Sequence, residues 1–211
     1  MLRPVCVFWL VACVSVAGAP PLMAAAQKRK VPAPVVRNSL DVTCPADLGK
    51  GAKSKRAFCD ITVGTDPAAG IVMRVPPHTG PSILRFDLHN RFAVAGNSLP
   101  FARASALVAV LDGNSGALIE RAGVLGELRT PLDLFDRIAG TGPGGYKTVA
   151  PGRAEPVKVR LPAAVTSISI VGLRVELTDK DGRAAFATPG RPVAIGSNFR
   201  IEYTPAAVGK R

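Results

Sequence analysis

The chain is poor in the residues that mark catalytic and stacking sites. It has two histidines, one tryptophan and two tyrosines in 211 residues. It contains no HExxH or GxSxG motif, no CxxC pair and no signature pairing of carboxylates. Trp9 lies in the N-terminal apolar run, and Tyr203 shares the apolar face of its predicted strand, so aromatic stacking on carbohydrate is not favoured. We therefore predict a protein that is not an enzyme and that uses no cofactor or metal.

Only one apolar run approaches the length of a membrane span, and it lies at the start of the chain. Residues 1–26 are typical of a signal peptide: Arg3 supplies the positive charge, residues 5–19 are apolar, and Ala24–Ala26 provide small residues for cleavage. The pattern predicts export to the bacterial periplasm or the extracellular space, with no transmembrane span after cleavage. Two alternatives stay open, an uncleaved anchor and a lipoprotein anchored through Cys13.

Cysteine is also scarce. Of the four cysteines, Cys6 and Cys13 lie in the predicted signal peptide, which leaves Cys44 and Cys59 in the mature chain. Two cysteines in an oxidising compartment favour a disulfide. Each shares the apolar face of its predicted strand, so we expect the bond at the edge of the core, closing a loop between two strands.

The remaining composition is that of a folded domain. Hydrophobic residues make up 47% of the chain and charged residues 20%, which excludes a disordered chain. Apolar and polar residues alternate with a period of two, for example in residues 84–91 and 173–177, and Asp112–Gly116 and Asp179–Gly182 predict hairpin turns. We therefore predict an all-β fold, an antiparallel β-sandwich over residues 38–205, with an immunoglobulin-like arrangement as one form of it.

Local signals predict further features around and within this domain. A basic, Pro-containing arm over residues 27–37 is expected to be flexible, and residues 206–211 form a C-terminal tail. Gly196 is expected to form a bulge that bends the last strand. One short capping helix is predicted near residues 131–139, because Thr130 can cap it and a proline and an aspartate follow where a first turn favours them.

A secreted serine hydrolase is the weakest functional alternative. Ser115 lies in a Gly-Asn-Ser-Gly turn that resembles the nucleophile turn of trypsin-like serine proteases, with His78 or His89 as the candidate base and Asp87 nearby. The histidines precede the serine by 37 and 26 residues, too few to hold the two barrels of such a protease. A hairpin turn is the favoured interpretation of Ser115, and both lone histidines are expected at solvated surface positions.

Charge is the remaining functional signal. The chain has 27 Lys and Arg against 15 Asp and Glu, a net charge of +12. Lys50, Lys53, Lys55 and Arg56 crowd the loop that the predicted disulfide would close. A basic loop of this kind can attract anionic lipid, cell-wall polymer or nucleic acid through long-range electrostatics, although it lacks the aromatic side chains that stack on bases.

These observations predict an exported, non-catalytic β-sandwich protein of the bacterial cell envelope or extracellular space, acting as a binding or structural module. Its partner is an envelope or extracellular component that the sequence does not name. The first alternative is a polyanion-binding module that uses the disulfide-closed basic loop. The second is a hydrolase that uses Ser115.

Overall fold

A computed structural model describes residues 35–94 and 101–206, which fold mainly into antiparallel strands arranged in two six-stranded sheets. The predicted all-β sandwich is confirmed, and its immunoglobulin-like form stays a prediction. The strands are β1 (Val36–Ser39), β2 (Val42–Thr43), β3 (Asp47–Lys50), β4 (Ala57–Thr62), β5 (Ile71–Arg74), β6 (His78–Ala93), β7 (Ala102–Asp112), β8 (Leu118–Leu128), β9 (Val149–Leu161), β10 (Ser167–Asp179), β11 (Gly182–Phe186) and β12 (Pro192–Pro205).

Several predicted segments lie outside the described residues. They are the signal peptide, Cys13 with its lipoprotein alternative, and most of the basic arm and of the C-terminal tail. The end of the arm is described, and there Val36 and Arg37 belong to β1. No helix within the described residues has the length and apolar character needed to cross a membrane.

The two sheets have simple antiparallel orders. Sheet A runs β3-β4-β12-β6-β9, and sheet B runs β2-β5-β10-β7-β8 with β11 also paired to β10. On one side of β12, residues 192–197 pair with β4 and residues 200–203 pair with β1. The hairpin turns predicted at Asp112–Gly116 and Asp179–Gly182 are confirmed as the β7–β8 and β10–β11 connections.

The main core lies between the inner faces of the sheets, where alternate residues of each strand are buried as the period of two requires. Its almost completely buried members include Leu84, Phe86, Leu88, Val108, Ile168, Ile170 and Ile201. Cys59 belongs to this core, and the half-buried Cys44 packs against it. The disulfide therefore lies at the edge of the core.

A third layer covers one half of the outer face of sheet A. It is formed by residues 129–148, here called the crossing segment, which connect β8 in sheet B to β9 in sheet A. Ile138 of this segment is fully buried against Leu48, Phe58 and Ile195, which together form a second, small core. The other half of this outer face is not covered by the crossing segment.

The helix predicted near residues 131–139 is wrong. Pro131–Asp133 form one capped 3-10 turn, and the chain is extended again at Leu134, with φ −77° and ψ 138°. The capping signals were real, but the residues that follow pair with sheet A: the N–H of Phe135 donates to the carbonyl of Pro151 at 3.0 Å. Extended backbone lets this segment spread its apolar side chains over the sheet, which a short helix would not.

The bulge in β12 comes after Gly196, not at it. Gly196 pairs in register with β6, and the register slips between Ser197 and Arg200, where Asn198 has a φ of +58°. A glycine is needed at 196 for a different reason, because a Cβ there would lie 2.7 Å from the ring of Phe199. Before the bulge Ile195 packs in the small core, and after it Phe199 and Ile201 pack in the main core.

Candidate functional site

The predicted basic loop is the tip of the β3–β4 hairpin. We call residues 50–56 the basic tip. The disulfide joins Cys44 to Cys59, with their Cα atoms 5.8 Å apart, so the predicted pairing is confirmed. The N–H of Gly51 donates to the carbonyl of Arg56 at 2.9 Å and closes the tip. The basic tip is therefore a short turn on a cross-linked hairpin.

A buried carboxylate of the crossing segment holds the basic tip in place. Asp136 is 3% exposed and accepts hydrogen bonds from the backbone N–H groups of Lys53 at 3.1 Å, Ser54 at 2.7 Å and Arg137 at 2.7 Å. Burial by itself would raise the pKa of Asp136, but the hydrogen bonds from Ser54, Lys53 and Arg137 outweigh it and lower the pKa below its usual value. The carboxylate is therefore ionised at neutral pH and fixes the tip backbone.

Two backbone positions allow this close approach. Gly51 is buried, and a Cβ there would lie 2.6 Å from the hydroxyl of Ser54 and 2.9 Å from the ring of Phe58. Lys55 has a φ of +59°, in the left-handed region, and its Nζ donates to the carbonyl of Ala52 at 2.7 Å. These contacts give the tip a defined conformation before any ligand binds.

Of the four predicted cations, the basic tip exposes three and uses one as an anchor. The exposed cations are Lys50, Lys53 and Lys55. Within the described residues none of them forms an ion pair. Arg56 is half-buried, donates to the carboxylate of Asp87 at 2.6 Å and lies 5.0 Å from the ring centroid of Phe135. The lysines can meet a ligand, while Arg56 ties the tip to sheet A and the crossing segment.

Sequence reasoning missed two residues of this site. Asp136 lies 83 positions from Lys53 along the chain, and its neighbour Arg137 accepts a backbone hydrogen bond from Ala52 at 2.8 Å. The guanidinium of Arg137 lies 5.1 Å from the ring centroid of Tyr146 and adds a cation beside the tip. Neither residue carries a sequence signal, because an aspartate and an arginine between two strands resemble ordinary solvated residues.

His89 is fully buried, so its predicted surface position is wrong. It lies on the polar face of β6 as expected, but the crossing segment covers that half of the sheet. The ring centroid of Phe135 lies 5.0 Å from that of His89, and the ring centroid of Phe58 lies 5.7 Å from it. The sequence pattern assigned the correct face, and the burial came from a layer that the pattern did not reveal.

Both ring nitrogens of His89 are hydrogen-bonded. The carbonyl of Gly152 can only accept, so Nδ1 carries the proton and donates to it at 2.9 Å, while Nε2 accepts from the hydroxyl of Ser197 at 2.9 Å. Burial lowers the pKa of His89 below its usual 6.5, although the bond to Gly152 opposes this shift. Ser197 is also fully buried, so this serine–histidine pair is closed to solvent and acts as part of the packing.

The serine of the hydrolase alternative lies elsewhere, in the β7–β8 turn. The backbone N–H of Ser115 donates to the carboxylate of Asp112 at 3.0 Å, and its hydroxyl accepts from the N–H of Ala117 at 3.3 Å. His78 is half-buried, with Nδ1 2.9 Å from the carbonyl of Pro76. In the described part of the chain no hydrogen bond joins Ser115 to a histidine, and no three His, Cys, Asp or Glu residues gather as a metal site.

A separate cleft of about 450 Å³ opens beside β10, β11 and β12. Its apolar lining includes Phe92, Phe101, Val175, Leu177, Phe186 and Val193. The guanidinium of Arg191 lies 3.5 Å from the ring centroid of Phe186 at this cleft. Charged side chains of both signs also line it, so the lining does not select a ligand of one charge.

Comparison with known proteins assigns no family. Neither a protein-family model nor a curated protein matches the sequence. One matching solved structure is the crystal structure of the infectious bursal disease virus VP2 subviral particle, with 9% identity and a TM-score of 0.24. The match covers 91% of this chain and 37% of the viral chain. A similarity at this level carries no argument about the function of the protein.

Proposed function

We propose that this protein is an exported binding module that recognises polyanions through the basic tip and acts without catalysis. The observation that carries the proposal is the presentation of Lys50, Lys53 and Lys55 on a backbone fixed by the buried carboxylate of Asp136. Three exposed ammonium groups on a turn of seven residues make a concentrated positive surface. Such a surface attracts phosphate, sulfate and carboxylate groups.

Preorganisation of the basic tip supports a binding role. A loop that orders only on binding loses conformational entropy, which weakens its affinity. Here the disulfide, the two hydrogen bonds from Lys53 and Ser54 to Asp136 and the ion pair between Arg56 and Asp87 already order the tip. Lys55 already donates from Nζ to the carbonyl of Ala52. The side chains of Lys50 and Lys53 have freedom left to lose, but the backbone has little, so each contact with an anion retains more of its free energy.

The disulfide also bears on location. A disulfide favours an oxidising compartment, and the bond between Cys44 and Cys59 is present. Together with the predicted signal peptide this supports the periplasm or the extracellular space as the place where the module works. We propose an anionic polymer or lipid of that compartment as its partner.

The proposal is tested by binding to immobilised heparin across a salt series. We expect retention at low ionic strength that falls steeply as salt rises, because the contacts are ionic and exposed. The variant Lys50→Gln/Lys53→Gln/Lys55→Asn should bind about tenfold more weakly, at about 0.5 kcal/mol for each exposed contact. Asparagine is chosen at position 55 because it tolerates the left-handed backbone found there.

A matched control separates a site from a general effect of net charge. Arg74→Gln/Arg121→Gln/Lys180→Gln removes the same number of positive charges from exposed positions on sheet B or at its β10–β11 turn. We expect this control to bind nearly as well as the wild type. Equal losses in the two variants, or no retention of the wild type at low salt, would overturn the proposal.

A further inference from the structure

We infer that the uncovered half of the outer face of sheet A is a second contact surface, which binds a linear anionic polysaccharide bearing sulfate or phosphate groups. The inference extends the proposed function from one turn to a whole sheet face. It rests on cations that the strand register places side by side, and none of them belongs to the basic tip.

The register aligns three like charges across neighbouring strands. Arg85 on β6 lies opposite Lys158 on β9 and opposite Arg200 on β12. Neighbouring strands lie about 4.8 Å apart, so this row spans about 10 Å across the sheet. Like charges directly opposite each other destabilise a sheet. Packing inside the fold gives no reason for this row, because Lys158 and Arg200 are exposed.

A second row follows two residues along the strands. Arg37 on β1 lies opposite Glu202 on β12, and Arg160 on β9 lies opposite the half-buried Ile83 on β6. We call Arg37, Arg85, Lys158, Arg160 and Arg200 the sheet cations. Glu202 is the single carboxylate within these two rows, so five positive charges face one negative charge.

Glu202 neutralises part of this surface and leaves most of it positive. Its Oε1 lies 2.8 Å from Nε of Arg85 and 3.1 Å from Nε of Arg37. The hydrogen bond from Arg85 lowers the pKa of Glu202, and the charges of Arg37 and Lys158 lower it further. The side chains of Arg37 and Arg85 are still 75% and 42% exposed, so both guanidinium groups can reach a second anion.

The sheet cations are continuous with the basic tip. Asp87 follows Arg85 by two residues on β6, and its carboxylate accepts from Arg56 of the tip at 2.6 Å and from Asn198 at 3.1 Å. Residues two apart on a strand share one face. Arg56 therefore joins the basic tip to the strand face that carries Arg85.

The chemistry of the surface favours a polysaccharide over the other polyanions. Four of the five sheet cations are arginines, whose planar guanidinium groups bind sulfate or phosphate through paired hydrogen bonds. No residue of the two rows is aromatic, so none can stack on a base, as single-stranded nucleic acid recognition requires. The half-buried Ile83 is the one apolar residue of the two rows, and charge with so small a hydrophobic contribution gives weak membrane binding.

The test uses full-length protein and a size-defined heparin oligosaccharide, with affinity measured by calorimetry across a salt series. The variant Arg85→Gln/Lys158→Gln/Arg200→Gln should bind about tenfold more weakly and show a shallower salt dependence, because fewer counterions are displaced. Unchanged affinity in this variant overturns the inference. Should it fail to fold, Lys158→Gln/Arg160→Gln changes only exposed side chains of the edge strand β9 and must also weaken binding.

The tip variant distinguishes this inference from the proposed function. Loss of affinity in the sheet variant with none in the Lys50/Lys53/Lys55 variant supports the sheet surface and refutes the tip. The reverse result refutes the sheet surface and keeps the tip. Tighter binding to phosphatidylglycerol vesicles or to single-stranded DNA than to the oligosaccharide also overturns the inference, since it identifies another class of partner.

Discussion

Replacement of Asp136 by asparagine should loosen the basic tip without removing a cation. In the native protein Oδ1 accepts from Lys53 and Arg137, and Oδ2 accepts from Ser54. An asparagine of the same size keeps one oxygen. If that oxygen keeps the first two bonds, its NH₂ group faces the N–H of Ser54, so two donors oppose each other at a separation of 2.7 Å in the native geometry. The loss of hydrogen bonds to a charged group and the unpaired N–H of Ser54 should together cost about 2 kcal/mol of stability.

Amide hydrogen exchange measures this loss where it occurs. If local opening costs about 2 kcal/mol less, the amide hydrogen should exchange about 30-fold faster, because each 1.4 kcal/mol changes the opening equilibrium by a factor of ten. We expect this acceleration at Ser54, a decrease of similar size in the free energy of unfolding by urea, and weaker heparin binding. The effect should shrink as pH falls from 3.8 through the lowered pKa of Asp136, because protonation of the folded carboxylate removes the interaction that asparagine lacks.

Asp133→Asn is the control. Asp133 also accepts backbone hydrogen bonds, from Arg129 at 2.9 Å and Thr130 at 2.7 Å, but it lies in the exposed 3-10 turn of the same segment. Its replacement should leave exchange at Ser54 unchanged. Unchanged exchange and unfolding in Asp136→Asn, or equal acceleration at Ser54 in both variants, would refute the view that Asp136 orders the tip.

Three further predictions concern stability. Because the folded protein lowers the pKa of His89, the free energy of unfolding should decrease as pH falls below 6.5, and His89→Gln should remove this dependence; an unaltered pH profile would contradict the assignment. Reduction of the disulfide should lower the free energy of unfolding by about 3 kcal/mol. Unchanged urea unfolding, measured on protein whose reduction has been verified, would disprove this prediction. Gly196→Ala should lower the free energy of unfolding by about 1–3 kcal/mol, because the added methyl group meets Phe199. Gly64→Ala should cause no such loss, because a Cβ there would have nothing within 4 Å. Similar losses in both variants would argue against the contact.

The sandwich could be predicted because its signals are local. Alternation with a period of two assigned inner and outer faces, and glycine-containing turns marked the hairpins. The disulfide followed from the number of cysteines and their positions on apolar faces. The three exposed lysines of the tip could be named because they lie within six residues of each other, so no knowledge of the fold was needed.

The parts that were missed depend on contacts between distant segments. The helix near residues 131–139 was predicted from caps that exist, but pairing of Phe135 with Pro151 overrode them. The burial of His89 depends on the same segment. The sheet cations could not be predicted from the sequence for another reason. Arg85 and Lys158 are separated by 73 positions, and only the register of β6 with β9 makes them neighbours.

The crossing segment gives the connection between the two sheets a role in recognition. It contributes none of the three tip lysines, yet its Asp136 fixes the backbone of Lys53 and Ser54 from which the tip is built. A deletion or insertion between the anchored residues Phe135 and Ile138 would shift this carboxylate while every tip lysine stayed in the sequence. Two proteins of this fold with identical basic residues could therefore differ in ligand binding through the length of one connection, and charge alone would not reveal the difference.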